Sequence, residues 1–249
     1  MKGSKKKPDL PKRRRRIAVI NFSGNVGKTT IASQLLAARM PDAPFYSIES
    51  RNLDATADGV KVVRLRGKDY GDLLENVFLL DEVIVDVGAS NIGDFMRLMT
   101  QYHASHEVFD LYLVPVVKEK KQQADTINTI KALAALGVPA EKIRVVFNKV
   151  EADDSVEMVF ASIFGAQAEQ RTFMIMPGAV IYWNDAFEKV KNRGRSLTDI
   201  LADDTDYRAK AREAMDVQAR EQLIAMAMVK MLSASAVKNL DSVYRALLR

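Results

Sequence analysis

The stretch Ser23-Gly24-Asn25-Val26-Gly27-Lys28-Thr29-Thr30 directly follows a short apolar run, residues 17–21 (IAVIN), and leads into apolar residues at helical spacing. A strand, a glycine-containing loop and a helix in this order are the parts of a phosphate-binding loop. Its backbone N–H groups and the helix N-terminus point at the phosphates, and its glycines let the backbone approach them closely. The stretch therefore predicts a site for a nucleoside triphosphate.

The residues of this loop have different expected roles. Lys28 can reach the β and γ phosphates, and the Thr29 hydroxyl can hold Mg²⁺. The residues predicted to contact the nucleotide are Ser23, Gly24, Asn25, Val26, Gly27, Lys28, Thr29 and Thr30. The common GxxxxGK[ST] pattern would place its first glycine at position 22, where this sequence has Phe22. The match is incomplete in spacing, and a glycine-rich loop with an incidental lysine is the alternative.

A second candidate residue is Asp86, near the end of the apolar run at residues 82–87 (EVIVDV). Ligands of doubly wound sheets lie outside the carboxyl ends of the strands, so a carboxylate there can hold Mg²⁺ together with Thr29. Gly88 suits a loop that senses the γ phosphate. The alternative is an aspartate that caps the next helix.

A third candidate element is Asn148-Lys149-Val150-Glu151, which follows another apolar run. It resembles the Asn-Lys-x-Asp pattern with which GTPases read a purine base, and it places Asn148 and Lys149 in the predicted site. Residues 177–182 (PGAVIY) are a candidate second wall of the base pocket, with Pro177 at its start. A plain turn is the alternative for that segment.

Continuous apolar runs alternate with amphipathic segments over most of the chain. This alternation predicts a doubly wound α/β fold with a mostly parallel sheet and helices on both faces. Predicted strands lie at residues 17–21, 45–48, 60–65, 82–87, 111–117, 143–148 and 172–176, and helices at 29–40 and about 121–136. From about residue 196 the chain is helical, with segments at 199–214, 217–232 and 239–248. The expected domains are a core at 17–195 and a helical extension at 196–249 that packs on it.

The positive charge of the chain is concentrated at its N-terminus. Residues 1–16 hold nine Lys and Arg against one acid, so this tail carries +8 and the remaining body −3 of the net +5. A segment so poor in apolar residues is expected to be disordered. It could contact DNA phosphates or anionic lipid. A solvated tail without a partner is the alternative.

Composition excludes several other classes of protein. The chain has no cysteine and two histidines, which excludes disulfides, thiolate metal sites and a zinc cluster. Its longest apolar runs are much shorter than a membrane span, and the basic N-terminus lacks the apolar stretch of a secretory signal. We therefore expect a soluble, cytoplasmic protein.

The motifs together resemble the ParA/MinD group of deviant Walker A ATPases over about residues 16–190. The similarity rests on IAVINFSGNVGKTT, EVIVDVGAS, LYLVPVVKEKKQQADTINTIKALAALG and IRVVFNKVE. Within the group, the opening INFSGNVGKTTIA is similar to plasmid stability proteins of conjugative plasmids. The resemblance implies ATP or ADP with Mg²⁺, an ATP-dependent homodimer, and a plasmid-encoded DNA-binding partner, with association to the bacterial nucleoid. It also implies that Lys28 binds phosphate, Thr29 and Asp86 hold Mg²⁺, and Asn148 reads adenine.

The sequence departs from the pattern of this group at two places. The signature lysine that reaches across an ATP-bound dimer to the partner's phosphates is replaced by Phe22, which cannot do this. The switch that orients the attacking water reads Glu49-Ser50-Arg51-Asn52-Leu53, so Glu49 matches its first carboxylate and Arg51 occupies the usual catalytic aspartate position. Two substitutions are compatible with this sequence: Arg51 could replace the charge of the missing lysine, and Asp54 could supply the carboxylate. The candidate catalytic residues are Lys28, Asp86, Glu49 and Arg51.

Three functions are compatible with these residues. The first is an ATP-switched partition or stability ATPase with slow hydrolysis. The second is a small-molecule kinase or synthetase, for which the sequence shows no acceptor pocket. The third is a nucleotide-binding scaffold that barely hydrolyses and engages a partner through its C-terminal helices. Residues 240–248 carry a short apolar stripe, which is more typical of packing on the core than of membrane binding.

Overall fold

The computed structural model describes residues 14–49, 56–57, 60–65, 69–191 and 194–248, and only the backbone of residues 56, 57, 60–62, 64 and 65. Eight strands form one sheet: β1 (Arg15–Val19), β2 (Phe45–Ile48), β3 (Thr56–Ala57), β4 (Val60–Leu65), β5 (Glu82–Val87), β6 (Leu111–Val116), β7 (Ile143–Val150) and β8 (Met174–Tyr182). Their order is β3-β4-β2-β5-β1-β6-β7-β8. Only the short β3 is antiparallel to its neighbour, so the predicted mostly parallel sheet is confirmed.

Helices cover both faces of this sheet. They are α1 (Lys28–Thr30), α2 (Tyr70–Phe78), α3 (Ile92–Gln101), α4 (Lys120–Ala135), α5 (Val156–Val159), α6 (Ala161–Gln170), α7 (Ala186–Val190), α8 (Leu197–Ala202), α9 (Tyr207–Glu213) and α10 (Val217–Leu248). The helix that begins with α1 continues as a π-helical segment, Ile31–Leu36, and ends in a 3₁₀ turn, Ala37–Arg39. The predicted helix at 29–40 therefore exists, although most of it is not α-helical.

Alternation along the strands produces two hydrophobic cores. In β1 and just after it, Ala18 and Ile20 lie in the core beneath α2, α3, α4 and α6. Ile17 and Val19 point to the other face, into the core beneath the α1 segment, α7, α8 and α10. Strands buried on both faces have to be apolar at every position, which explains their unbroken hydrophobic runs. The predicted doubly wound α/β architecture is confirmed.

The C-terminal helices differ from their predicted bounds. The predicted helix at 199–214 is two helices: Ser196 and Asp199 form a capping box that starts α8, and the Asp206 side chain accepts N–H bonds that start α9. The break predicted after residue 232 is absent, because α10 is a single helix of 32 residues. Its buried residues follow one another at intervals of four and three, which keeps one stripe on the sheet: Val229, Ser233, Ala236, Leu240, Val243 and Leu247.

Arg15 and Arg16, the last two residues of the tail predicted at 1–16, belong to β1. Arg16 is only 8% exposed. Its Nε and one terminal nitrogen lie 3.1 and 3.2 Å from the two carboxylate oxygens of Asp110, and this forked pair allows the charge to be buried. Residues 1–13, and with them the predicted disorder and DNA contact, lie outside the described residues.

Side chains of α10 also hold the sheet edge and the end of the α1 segment. Asn239 accepts from the Tyr182 N–H and donates to the Val180 carbonyl, and so pairs with edge strand β8 as another strand would. Arg39 donates to Asp241 at 2.8 Å and to the Val237 carbonyl at 3.2 Å. By length and composition alone α10 could cross a membrane, a test that core helices also pass.

Candidate functional site

The loop at residues 21–27 leaves β1, the strand between β5 and β6, at its carboxyl end. Asp86 lies near the end of β5 and Asn148 near the end of β7, at the same edge of the sheet. Glu49 directly follows β2 at this edge. Strand order therefore brings together residues that are far apart in the sequence. This is the edge at which doubly wound folds bind their ligands.

A buried polar network holds the start of this loop. The Asn21 amide nitrogen donates to the Pro115 carbonyl and to the Thr126 hydroxyl, both at 2.7 Å, and the amide oxygen accepts from the Ser23 N–H. The Phe22 N–H donates to the Thr129 hydroxyl at 3.0 Å. We did not predict Asn21 or the two threonines as site residues. Their signal in the sequence is an asparagine at a strand end and two threonines three apart on one face of a helix.

Gly27 and Asn148 are in direct contact. Gly27 has a φ of 88°, in the left-handed region, and a Cβ built on it would lie 2.2 Å from the Asn148 amide nitrogen. That nitrogen donates to the Val26 carbonyl at 2.9 Å. Beside it, the Lys149 ammonium lies 3.4 Å from the Asn25 carbonyl. Asn148 and Lys149 therefore contact the loop, and the loop requires glycine at 27 for two independent reasons.

Lys28 is buried within the curve of the loop. Its ammonium donates to the Ser23 carbonyl at 2.7 Å and to the Asn21 carbonyl at 3.1 Å. Burial lowers the pKa of Lys28, and the nearby charges of Asp86 and Glu49 oppose this. The lysine is thus held by neutral carbonyls at the position from which an anion would be bound, with two carboxylates close by.

Thr29 and Asp86 form the second part of the site. The Thr29 hydroxyl donates to one Asp86 oxygen at 2.7 Å. The other Asp86 oxygen, Oδ1, is buried and has no hydrogen-bond partner among the described residues. Burial raises the pKa of Asp86 to about 6; the Thr29 bond and the Lys28 charge act in the opposite direction, and Glu49 adds to the rise.

This pair fits a magnesium ion. An orphaned buried carboxylate oxygen next to a hydroxyl is an arrangement that a hard cation or its water would satisfy. Across the described residues, no group of three or more His, Cys, Asp or Glu side chains could hold a metal by itself. Magnesium commonly takes one or two protein ligands and completes its shell with phosphates and water, so a two-residue site is sufficient.

Glu49 lies beside the pair formed by Thr29 and Asp86. The Gly88 N–H donates to the Ile48 carbonyl at 2.9 Å, and a Cβ at Gly88 would lie 3.2 Å from Glu49 Cγ. The lack of a side chain at position 88 therefore lets Glu49 approach the site. Arg51 and Asp54, the two residues considered as substitutes in the switch, lie outside the described residues.

Phe22 occupies the position of the signature lysine and is half-buried against the core beneath α2, α3, α4 and α6. Phe22 therefore contributes apolar contact area to this core. Gly24 and Asn25 are exposed at the tip of the loop, and Thr30 is half-buried in α1.

Pro177 lies in β8, at an irregularity where the register with β7 shifts, four residues before Ile181, which pairs with Asn148. A Cβ on the adjacent Gly178 would meet Ala246 of α10. The segment PGAVIY is a strand with a bulge and not the turn considered as its alternative. A base-pocket wall at Pro177 stays a prediction.

The charge state of Asp86 leads to a prediction about stability. Because its folded pKa of about 6 lies above the ordinary aspartate pKa of 3.8, this group favours folding below pH 4 and loses that contribution as the pH rises through 6. The shift corresponds to about 3 kcal/mol. We expect Asp86→Asn to raise the unfolding temperature of the nucleotide-free protein at pH 7.5, and to do so far less at pH 4.5.

Thermal unfolding of wild type and variant at several pH values measures this difference in unfolding temperature. The contributions of the other titrating groups cancel when the two proteins are compared at the same pH. Asp94→Asn, at a carboxylate that is 59% exposed, is the matched control and should show no such trend. A difference between Asp86→Asn and wild type that does not change with pH would contradict the prediction.

Comparison with known proteins identifies the architecture. No protein-family model matches the sequence, and no curated protein matches it either. Among solved structures, an ATP complex of McdA from Cyanothece is 14% identical, with a TM-score of 0.52 over 94% of this chain and 96% of that one. A ParA family ATPase from Chlorobium tepidum TLS is 11% identical, with a TM-score of 0.50 over 87% of this chain and 98% of that one. The chain therefore shares the α/β fold of these two proteins.

Proposed function

We propose that this chain is an ATP-binding switch protein of the ParA/MinD type that hydrolyses ATP slowly and acts in plasmid stability, partition or conjugation. The observation that carries the proposal is the Thr29–Asp86 hydrogen bond of 2.7 Å beside buried Lys28. In this proposal residues 17–195 form the ATPase core and residues 196–249 a helical extension. α10 belongs to the core beneath the α1 segment, which supports packing of the extension on the ATPase core.

Phosphate binding is supported by the chemistry around Lys28. The backbone of residues 24–29 supplies N–H groups, and the Lys28 ammonium can exchange its two carbonyl partners for phosphate oxygens. The ammonium is attracted more strongly to an anionic phosphate oxygen than to a neutral carbonyl oxygen, so this exchange favours bound nucleotide. Bound Mg²⁺ would neutralise phosphate charge, with Thr29 and Asp86 holding it.

Asn148 supports adenine as the base. Its amide nitrogen is oriented by the Val26 carbonyl, which can only accept, and this fixes the amide oxygen on the other side of the amide group as an acceptor for a ligand. An amide oxygen can accept from the amino group of adenine, where guanine carries a carbonyl. We therefore propose ATP and ADP as the ligands, and expect GTP to compete poorly for the site.

Slow hydrolysis is supported by Phe22 and Glu49. Phe22 has no charge to stabilise a transition state and is packed on the core. Glu49 is near Lys28 and could help to position water, with Lys28 and Asp86 as the other catalytic residues and Arg51 as an open addition. Positioning and charge neutralisation supply most of the catalysis in phosphoryl transfer. The missing charge at Phe22 therefore also favours a second candidate, a nucleotide-binding scaffold with little hydrolysis.

The biological setting rests on resemblance and on the neighbours of the fold. The solved McdA structure contains ATP, and the sequence INFSGNVGKTTIA resembles the StbB plasmid stability proteins. We propose an ATP-dependent homodimer in the bacterial cytoplasm with a plasmid-encoded DNA-binding partner. Contact between residues 1–16 and DNA, and association with the nucleoid, are part of this proposal.

Light scattering and a steady-state ATPase assay test the proposal. With Mg²⁺, we expect a dimer in a non-hydrolysable ATP analogue, a monomer in ADP, and slow release of phosphate from ATP. Dimer formation without phosphate release would favour the scaffold. A monomer in both nucleotides, with phosphate transfer that depends on an added acceptor, would overturn the switch in favour of a small-molecule kinase or synthetase.

A further inference from the structure

An open groove of about 570 Å³ lies between α9 and the first half of α10, on the helical extension. Its walls carry three arginines and three large apolar residues: Arg208, Arg212, Arg220, Ile224, Met228 and Met231. It is separate from the nucleotide site, which is built on the loop at residues 21–30, and none of its residues has a role in the proposed function.

The apolar side of the groove is a stripe on α10 that stays largely exposed among the described residues, with Arg208 of α9 donating to the Met231 sulfur at 2.8 Å. Ile224, Met228 and Met231 are 45%, 58% and 60% exposed, and Val217, two turns before Ile224, is 65% exposed. Their intervals of seven, four and three residues place them on one helical face. The buried stripe of α10 begins only at Val229, and its one-residue offset from Met228 rotates it by about 100°. The first half of α10 therefore presents a second apolar face that the core does not use.

This second face resembles a helix-binding surface. Only 22% of the most apolar 18 residues of α10 is buried. Exposed apolar residues rimmed by charge are typical of interaction sites, and methionine adapts to the shape of a partner. An amphipathic helix that docks in a groove uses anchors at intervals of three, four and seven residues, which matches the spacing of this stripe.

The rim of the groove is positively charged. Arg208 and Arg212 lie one turn apart on α9, and no acidic residue lines the groove. Arg220 donates to the Ala214 carbonyl at 2.8 Å, which holds the turn between α9 and α10 and fixes its guanidinium at the groove. Arg212 forms no hydrogen bond or ion pair with the described residues, although Asp206 attracts it from the start of α9.

We propose that the groove between α9 and α10 binds an acidic amphipathic helix of a partner protein. Apolar side chains of that helix would fill the space over Ile224, Met228 and Met231, and its carboxylates would pair with Arg208 and Arg212. A second copy of this chain is a poorer occupant, because the same three arginines would face each other. A concave groove also suits the ridge of a helix better than the broad surface of an anionic membrane.

Fluorescence anisotropy with the full-length protein and labelled synthetic helices tests this proposal. One peptide of about 18 residues carries leucine at intervals of three and four with glutamate elsewhere, and a second carries lysine in place of glutamate. We expect the glutamate peptide to bind at least about tenfold more tightly than the lysine peptide. We expect Met228→Glu and Arg212→Glu each to weaken its binding about tenfold.

Matched variants at other exposed sites serve as controls. Met158→Glu changes a methionine that is 79% exposed on α5, and Arg97→Glu changes an arginine whose side chain is 62% exposed on α3. Both should bind the glutamate peptide as wild type does, and circular dichroism should show all four variants folded. Equal binding of the two peptides, or wild-type binding by Met228→Glu, would overturn the proposal. A third result would also overturn the proposal: the glutamate peptide does not bind, while the protein sediments with phosphatidylglycerol vesicles and Met228→Glu abolishes that sedimentation.

Discussion

Gly27→Ala is expected to abolish ATP binding and to destabilise the nucleotide-free protein by about 3 kcal/mol or more. The left-handed backbone at this position costs a residue with a Cβ about 1–2 kcal/mol. The new methyl group would also lie 2.2 Å from the Asn148 amide nitrogen, so either the loop or β7 has to move. Movement of either one breaks the Asn148 bond to the Val26 carbonyl. Calorimetric titration with ATP and thermal unfolding measure the two effects.

Gly24→Ala is the matched control, because nothing lies within 4 Å of a Cβ at that position and its φ is not positive. It should retain the stability of wild type. The double variant Gly27→Ala with Asn148→Ala removes the clash but not the backbone strain, so it should recover part of the lost stability. Wild-type ATP affinity in Gly27→Ala would show that the loop does not bind phosphate in this conformation.

Lys28→Ala is expected to weaken ATP binding by about a hundredfold, because each charge-assisted hydrogen bond to an anion contributes about 1.5–3 kcal/mol. Its effect on the nucleotide-free protein should be smaller. Truncation leaves the Asn21 and Ser23 carbonyls without their donor and Asp86 without its nearest cation, but it also relieves the burial of a charge. Loss of affinity with little loss of stability therefore separates a ligand-binding role from a structural one.

Calorimetry with ATP and Mg²⁺ measures the affinity of this variant. Lys120→Ala is its control, since Lys120 is exposed at the start of α4 and forms no hydrogen bond or ion pair with the described residues of the loop. This variant should bind ATP as wild type does. An unchanged dissociation constant for Lys28→Ala would mean that the loop is not a phosphate site. The proposed switch function would then have no basis, whereas the proposed groove between α9 and α10 would be unaffected.

Strands β2, β5 and β6 could be predicted closely from the sequence because each is buried on both faces. Predicted bounds for β2, β4 and β5 agree with the structure, and β6 differs by one residue at its end. The C-terminal helices were harder to predict, since local composition is helical throughout. Their ends depend on caps at Ser196 and Asp206 and on a buried stripe that keeps α10 continuous.

The site was predicted where its residues follow one another in the chain and missed where they do not. Lys28 and Thr29 belong to one loop, and Asp86 ends an unmistakable apolar strand. Asn21, Thr126 and Thr129 meet only because α4 crosses over the start of the loop. Pro177 lies in β8 at a register irregularity, so the turn considered for its segment is a strand, whereas its place in a base pocket stays a prediction.

Local order along the chain was thus enough to predict a doubly wound sheet and a glycine-containing loop between a strand and a helix, because hydrophobic periodicity and strand–loop–helix order are properties of neighbouring residues. Tertiary packing decided that Asn148 meets Gly27, that Phe22 packs on the core and that the first half of α10 has an exposed apolar face. These contacts join segments far apart in sequence. They depend on which strands lie side by side and on which face each helix covers, and no local pattern encodes either.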